Sequence, residues 1–188
     1  MAGLPSSFGS SDDDLFDPKD AFVPDHLPDP GPFLEGHTVL TDQDHVDVHA
    51  TTREVFEERK VYDMTFNYNL ARLNRDTRHP DAGYRYAIDR DGAGILRAEF
   101  TPTTPFCPQT HTLTIGSFRA WNGLSEHHDY DLVRVRVAPM HHQSDTVNEH
   151  LETIEKRFRK TGSVDTRPSE ESTVGDGHLE PNVTDAPF

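Results

Sequence analysis

The 188-residue chain has a single cysteine, so it cannot close a disulfide within itself or build a cysteine-only zinc or iron-sulfur cage. Lysine is scarce, with 4 against 14 arginines, and hydrophobic residues make up only 33% of the chain. That share is low beside the roughly 45–50% of globular chains, although the usual figure counts glycine and omits tyrosine. Part of the chain is therefore expected to build no packed core. No run approaches the ~18 apolar residues of a membrane-spanning helix. The first 20 residues lack the basic flank and apolar stretch of a secretion signal. These absences predict a cytoplasmic protein with no membrane partner.

Acidic residues outnumber basic ones 33 to 18, a formal net charge of −15, and the imbalance is uneven. Residues 1–50 hold 11 acids and one lysine, residues 162–188 hold six acids and one arginine, and residues 51–161 hold 16 of each sign. A neutral middle between acidic ends offers no phosphate-neutralising face, which argues against nucleic acid as a partner. Acidic ends with arginine over lysine suit a salt-adapted, halophilic source, and a GC-rich genome would also favour arginine.

Six of the 14 prolines fall in residues 1–50, beside the acidic run Asp12, Asp13, Asp14 and the turn-prone steps Asp17-Pro18, Asp29-Pro30 and Pro30-Gly31-Pro32. Helix and ladder hydrogen bonds are interrupted repeatedly there, which predicts a disordered, acidic, proline-rich tail. Leu15, Phe16, Phe22, Val23, Phe33 and Leu34, scattered among the acids, would make it at most a short docking segment. Residues 162–188, dominated by small polar and acidic residues, predict a second disordered tail. The folding unit is then residues 51–161, long enough for one core.

Within residues 146–160, Val147, Leu151, Ile154 and Phe158 recur at steps of 4, 3 and 4 and share one helix face. Thr146 and Glu149 have capping-box spacing, Ser144 and Asp145 are alternative N-caps, Glu152/Lys156 and Glu155/Arg159 fall at i,i+4, and Gly162 ends the run. Val133, Val135 and Val137 alternate with Arg134 and Arg136 as in a half-buried strand stopped by Pro139. Tyr84, Tyr86 and Ile88 alternate with Arg85, Ala87 and Asp89; Asp91-Gly92 offers a positive-φ turn, and residues 95–101 return as the second strand of a hairpin. Residues 52–62 read as a helix with Val55, Arg59 and Tyr62 aligned, whereas residues 63–73 fit helix and strand equally. The order helix, hairpin, a helical or irregular segment around residues 113–121, strand, helix predicts a small two-layer α/β domain on a three- or four-stranded mixed sheet.

The densest chemistry is Phe100-Thr101-Pro102-Thr103-Thr104-Pro105-Phe106-Cys107-Pro108, directly after the second hairpin strand. Pro108 suits the first position of a helix, which puts Cys107 at the N-cap, where the helix dipole and free N–H groups stabilise a thiolate. The competing reading is an inert thiol buried at a strand end. His111 lies four residues on, so a helix turns both side chains to one side as a two-ligand edge, and His141 follows the third strand. Thiolate and imidazole donors at Cys107, His111 and His141 suit soft and borderline metals. Thr101, Thr103 and Thr104 are placed to hydrogen-bond the loop backbone. The other histidines, among them His26, His37, His45, His49 and His178 in the tails and His127-His128 in a polar loop, read as solvated.

These landmarks resemble the metal-sulfur cluster assembly domain, a family shared by the eukaryotic cytosolic iron-sulfur targeting factor and the bacterial SufT and PaaD proteins. Over residues 52–161, Asp81-Ala82-Gly83 is similar to the family's Asp-Leu-Gly step and Asp91-Gly92 to its hairpin turn. Thr101-Pro102-Thr103 through Pro105-Phe106-Cys107-Pro108 is similar to its threonine/proline loop with the reactive cysteine, and His141 with Val147-Asn148 to the eukaryotic His…Val-Asn segment. The chain departs where the family carries Asp-Pro-Glu, since Met64-Thr65 follow Asp63, and residues 65–80 look like an insertion.

The resemblance implies binding or relay of iron or an iron-sulfur cluster through Cys107, with support from Thr101, Thr103, Thr104, Pro105, Pro108 and Asp81, and zinc as a substitute ion. It implies iron-sulfur apoproteins and the assembly machinery as partners. One cysteine per chain predicts sharing between two subunits of a homodimer. The expected role is a non-enzymatic assembly or targeting factor. A cysteine-nucleophile enzyme with His111 or His141 as base is the alternative. A PaaD-like oxygenase accessory comes third, because PaaD-type chains carry further cysteines.

Overall fold

A computed structural model describes residues 13–164. In chain order they form β1 (Thr38–Val39), α1 (Asp42–Arg59), β2 (Tyr62–Asp63), β3 (Tyr68–Asn69), β4 (Gly83–Ile88), β5 (Ile95–Thr101), α2 (Thr110–Gly123), β6 (Leu132–Val137) and α3 (Ser144–Thr161), with short 3-10 turns between them. The main sheet runs β1-β4-β5-β6, antiparallel except for the parallel β5/β6 pair, and β2/β3 form a separate hairpin. A parallel neighbour needs a crossover, and α2 supplies it. The result is the small two-layer α/β domain on a mixed sheet that the periodicities predict.

Alternation along the strands decides the faces. Tyr84, Tyr86, Leu96, Ala98, Phe100, Val133, Val135 and Val137 join Val55, Phe56, Phe118, Trp121 and Leu151 in one core. The α3 stripe lies as spaced, with Val147, Leu151 and Ile154 buried and Phe158 packed against them. Gly162 closes α3 at φ 68°, its N–H donating to the Phe158 carbonyl. The start of α3 is corrected: Ser144, Asp145 and Thr146 lie inside the helix, and Gln143 stands at the N-cap without a side-chain cap bond. Glu155 turns inward to Arg134 (3.0 Å) and Arg136 (2.8 Å) and not outward to Arg159. Two guanidiniums in a water-poor setting outcompete an exposed i,i+4 partner.

Three further expectations shift. The β4/β5 hairpin forms, but its left-handed residue is Gly94 at φ 77°, because the loop from Ile88 to Ile95 is too long for a two-residue primed turn at Asp91-Gly92. The first helix begins at Asp42, so the boundary drawn at residue 51 falls inside α1. Residues 63–73 divide between the β2/β3 hairpin and a 3-10 turn, Leu70–Arg75.

The disordered tail expected over residues 1–50 is corrected from residue 13 onward; residues 1–12 and 165–188 lie outside the described residues. Residues 13–37 form an arm whose central part lies over the charged face of the sheet. Glu99 accepts the N–H groups of Gly31 (2.6 Å) and Phe33 (3.2 Å). Arg85 donates to the Pro28 carbonyl (2.9 Å) and Arg97 to that of Phe33 (3.0 Å), with the Arg97 guanidinium 4.6 Å from the Phe33 ring centre. Proline denies the arm a regular ladder, and charged side chains of the strands satisfy its backbone instead. The half-buried reading of residues 133–137 is corrected with it, since Arg136 is 4% exposed, and Arg85 and Glu99 on the neighbouring strands are buried too, at 6% and 1%. Burial raises the Glu99 carboxyl pKa, against the lowering effect of the two N–H donors.

The outer edge of β6 is covered by side chains. Asn122 accepts the Val133 N–H and donates to its carbonyl, both at 2.9 Å, and Asn148 does the same for Val137 at 2.8 and 3.0 Å. Between them Arg136 donates to the Val135 carbonyl at 2.8 Å. A strand edge that would otherwise offer unpaired peptide groups is thereby closed.

Candidate functional site

The loop after β5 closes back on the turn before α3. Thr101 is its buried start, and Cys107 N–H to the Thr104 carbonyl (3.4 Å) and Thr110 N–H to the Cys107 carbonyl (3.5 Å) make two successive turns. His141, 3% exposed, donates from Nε2 to the Cys107 carbonyl (3.0 Å) while Nδ1 accepts the Gln143 N–H (3.2 Å), which sets its tautomer. His142 donates to the Pro105 carbonyl from both its backbone N–H (3.0 Å) and Nδ1 (2.7 Å). On the other flank Gln109 accepts the Met64 N–H (2.9 Å) and donates to Thr65 Oγ1 (2.7 Å). The loop is thus pinned on two sides.

Cys107 is not an N-cap. Gln109 occupies that position and α2 starts at the fully buried Thr110, so Pro108 also stands outside the helix. The Gln109 side chain is committed to the Met64-Thr65 turn, and it is the carbonyl of Cys107, not its sulfur, that meets the first helical turn. The thiolate argument built on the N-cap position lapses with it. The thiol is free and half-buried. Thr103 is half-buried at the loop surface and Thr104, Pro105 and Pro108 are exposed. Asp81, at φ 65°, donates its N–H to the His26 carbonyl (3.2 Å) and so supports the arm.

His111 meets His150 of α3, with Nε2 2.6 Å from Nδ1. Burial, and secondarily the charge of His150, lowers the His111 pKa, and the close nitrogens share one hydrogen. His150 escaped the sequence reading because only the packing of α2 against α3 pairs it with His111. Cys107, His111 and His141 are not gathered into one donor set. Among the described residues, the group of three donors lying within 4.8 Å of one another is Glu58, Glu126 and His127. There His127 stands 2.9 Å from Glu58 and 3.8 Å from Glu54, an exposed ion-pair cluster. No side chain among the described residues hydrogen-bonds the Cys107 sulfur, and Nε2 of His111 and both nitrogens of His141 are bonded to His150 and to backbone, respectively. Three large apolar side chains stand exposed on the segments that meet at this loop: Phe106, next to Cys107 and 72% exposed, has its ring 5.1 Å from that of His142, Met64 (79%) lies in the turn bound by Gln109, and Met140 (40%) precedes His141.

Several histidines read as solvated are internal, with His178 outside the described residues. His49 is buried, with Nε2 donating to the Ala71 carbonyl and Nδ1 accepting from Tyr86 Oη, both at 2.8 Å. His45 stacks 5.8 Å from it, also buried, and its Nδ1 has no hydrogen-bond partner. Burial above all, with nearby charge, pushes the pKa of His45 down to about 3 and that of His49 to about 4. His128 donates to the Trp121 carbonyl (2.8 Å) and accepts the Tyr130 N–H (3.1 Å), tying the loop before β6.

Fold and loop together define a small two-layer α/β domain with one free, half-buried thiol on a pinned loop. Residues 14–165 match the family model described as Domain of unknown function (DUF7998), and the chain belongs to that family. No curated protein and no solved structure matches the chain. The match takes in the arm and all of α1 as well as the segment from residue 51. No helix among the described residues is long and apolar enough to cross a membrane.

Proposed function

We propose that this domain is a non-enzymatic iron-sulfur assembly or targeting factor that offers the Cys107 thiolate to iron or a cluster and docks an apoprotein on the surrounding rim. The observation that carries the reading is the pinned loop itself. His141, His142 and Gln109 hold the backbone on both sides of a free thiol, and Phe106 beside it, with Met64 and Met140 on the two segments that pin the loop, is exposed. The element order and the place of the cysteine after the second hairpin strand agree with the resemblance to the metal-sulfur cluster assembly domain. Ordering a loop before binding lowers the entropy cost of engaging a partner.

The donor set fits such a cargo in part. One thiolate per chain falls short of the four ligands a cluster takes, so two chains, or one chain and its client, must share it. The His111–His150 pair supplies borderline nitrogen donors at the start of the next helix, while both nitrogens of His141 are already engaged by backbone. Anaerobic reconstitution with iron and sulfide, read by absorbance and Mössbauer spectroscopy with parallel measurement of mass in solution, tests the reading. The expected outcome is a cluster or iron signal on a dimer that disappears in Cys107→Ser. A signal that survives Cys107→Ser, or none in the wild type, overturns it.

A further inference from the structure

A second region carries chemistry that the Cys107 loop does not use. Where the arm passes α1 and the Leu70–Arg75 turn, it leaves a groove of about 600 Å³ lined by Phe16, Asp17, Lys19, Arg53, Glu57, Asn69, Arg72 and Arg75. The volume lies within the range of small-molecule sites. Four cationic side chains face two carboxylates there, in a chain whose net charge is −15.

Neither carboxylate neutralises these cations. The Asp17 carboxylate is held 2.7 Å from His26, and Arg75 donates to the Asp17 backbone carbonyl, at 2.8 Å. Glu57 falls at i,i+4 from Arg53, the spacing of a helical ion pair, yet its oxygens take hydrogen bonds from Tyr62 (2.7 and 2.8 Å), Lys60 (3.1 Å) and Asn69 (3.2 Å). Among the described residues, Lys19, Arg53, Arg72 and Arg75 have no carboxylate within 4.0 Å. The three arginines are half-buried, and the Arg72 guanidinium stands over the Phe16 ring, 3.8 Å from its centre. Burial, with repulsion from Arg53 and Arg72, lowers the pKa of Arg75, with Asp17 only partly offsetting it. Half-buried cations that repel one another lack a counter-charge.

From this arrangement we infer that the groove binds a phosphoryl group carried by a small polar molecule, with Arg53, Arg72, Arg75 and Lys19 as its donors. A phosphoryl group supplies two charges and three oxygens at one point, enough for several converging guanidiniums, whereas a carboxylate offers one charge and two oxygens.

The test is titration of the full chain with inorganic phosphate at constant ionic strength, followed by phosphorus NMR linewidth and arginine side-chain resonances, with citrate as the carboxylate arm. Arg53→Gln and Arg72→Gln are the variants, since neither side chain hydrogen-bonds elsewhere in the described fold; thermal melts check their folding. The expected result is saturable phosphate binding that weakens about tenfold or more in each variant, with citrate weaker than phosphate. Absence of saturation by about 10 mM phosphate, equal binding in wild type and variants, or preference for citrate overturns the inference. So does binding that emerges only when the acids of residues 165–188 are changed to amides, because the occupant is then the chain's own tail.

Discussion

Acidification from pH 7.5 to 5 separates the buried histidine pair from the rest of the molecule. In the unfolded chain His45 and His49 titrate near 6.5, and in the fold burial lowers them to about 3 and about 4. Between those limits the unfolded state binds protons that the folded state refuses, so stability is full above pH 6.5 and falls as the pH drops. At pH 5 each residue forgoes about 1.5 pH units of linkage, or about 2 kcal/mol, and the pair about 4 kcal/mol. Against a total of roughly 5–15 kcal/mol that is a large fraction.

The network explains the refusal. The Ala71 carbonyl can only accept, so Nε2 of His49 carries its hydrogen and Nδ1 must accept from Tyr86. A second proton on Nδ1 would face that hydroxyl and then force it to re-aim while Thr52 stands 2.7 Å from the same oxygen. The assay is urea unfolding at constant ionic strength from pH 7.5 to 5, in wild type and His45→Gln/His49→Gln. The slope against pH is read, not the absolute stability. The double variant should lose close to two protons of linkage, leaving the smaller share of His111, whose pKa is lowered in the same direction. An unchanged slope in the double variant, or a wild-type loss below about 1 kcal/mol by pH 5, would refute the burial argument.

Two further outcomes test the scaffold. Gly31→Ala would set a methyl 2.6 Å from both Glu99 oxygens, so the arm should lift at a cost of about 1–3 kcal/mol, with new proteolytic cuts between residues 14 and 37. Urea midpoints and protease patterns equal to wild type would show that Glu99 does not hold the arm. His141→Ala removes the Nε2 bond to the Cys107 carbonyl, so iodoacetamide should alkylate the thiol several-fold faster with the fold retained; an unchanged rate would mean the loop stands without its imidazole pin.

Elements whose burial follows a simple period were legible in the sequence. Val147, Leu151 and Ile154, or Val133, Val135 and Val137, bury because of their spacing alone. The first ten residues of α1 were not, since its inward positions there include His45 and His49, polar side chains that ordinarily mark solvent and here are satisfied or stacked inside. The arm was missed for a related reason. Its prolines correctly exclude helix and strand, but the rule says nothing about a segment whose carbonyls are met one by one by Arg85 and Arg97. The candidate site was half legible: the loop and the closeness of His141 could be read from order, whereas the His111–His150 pair and the Gln109 contact to Met64 depend on how α2, α3 and the β2/β3 turn meet.

The segment charges show the same limit from another side. Counting 16 acids and 16 bases over residues 51–161 describes a neutral stretch, yet the fold sorts those charges into separate places. Glu54, Glu58 and Glu126 gather around His127 on one surface, while Arg53, Arg72 and Arg75 converge with Lys19 from the arm on another. On α1 the two sets are adjacent in sequence, Arg53 beside Glu54, and a helix turns neighbours about 100° apart, so adjacency in the chain becomes separation in space. Net charge over a segment therefore bounds long-range attraction to a polyanion such as nucleic acid, but it leaves open a short-range site for a single anionic group. Such a site needs a few donors held close together, and the arm holds Arg75 through the backbone of Asp17, which donates to the Arg75 carbonyl and accepts from its guanidinium, while Lys19 lines the same groove.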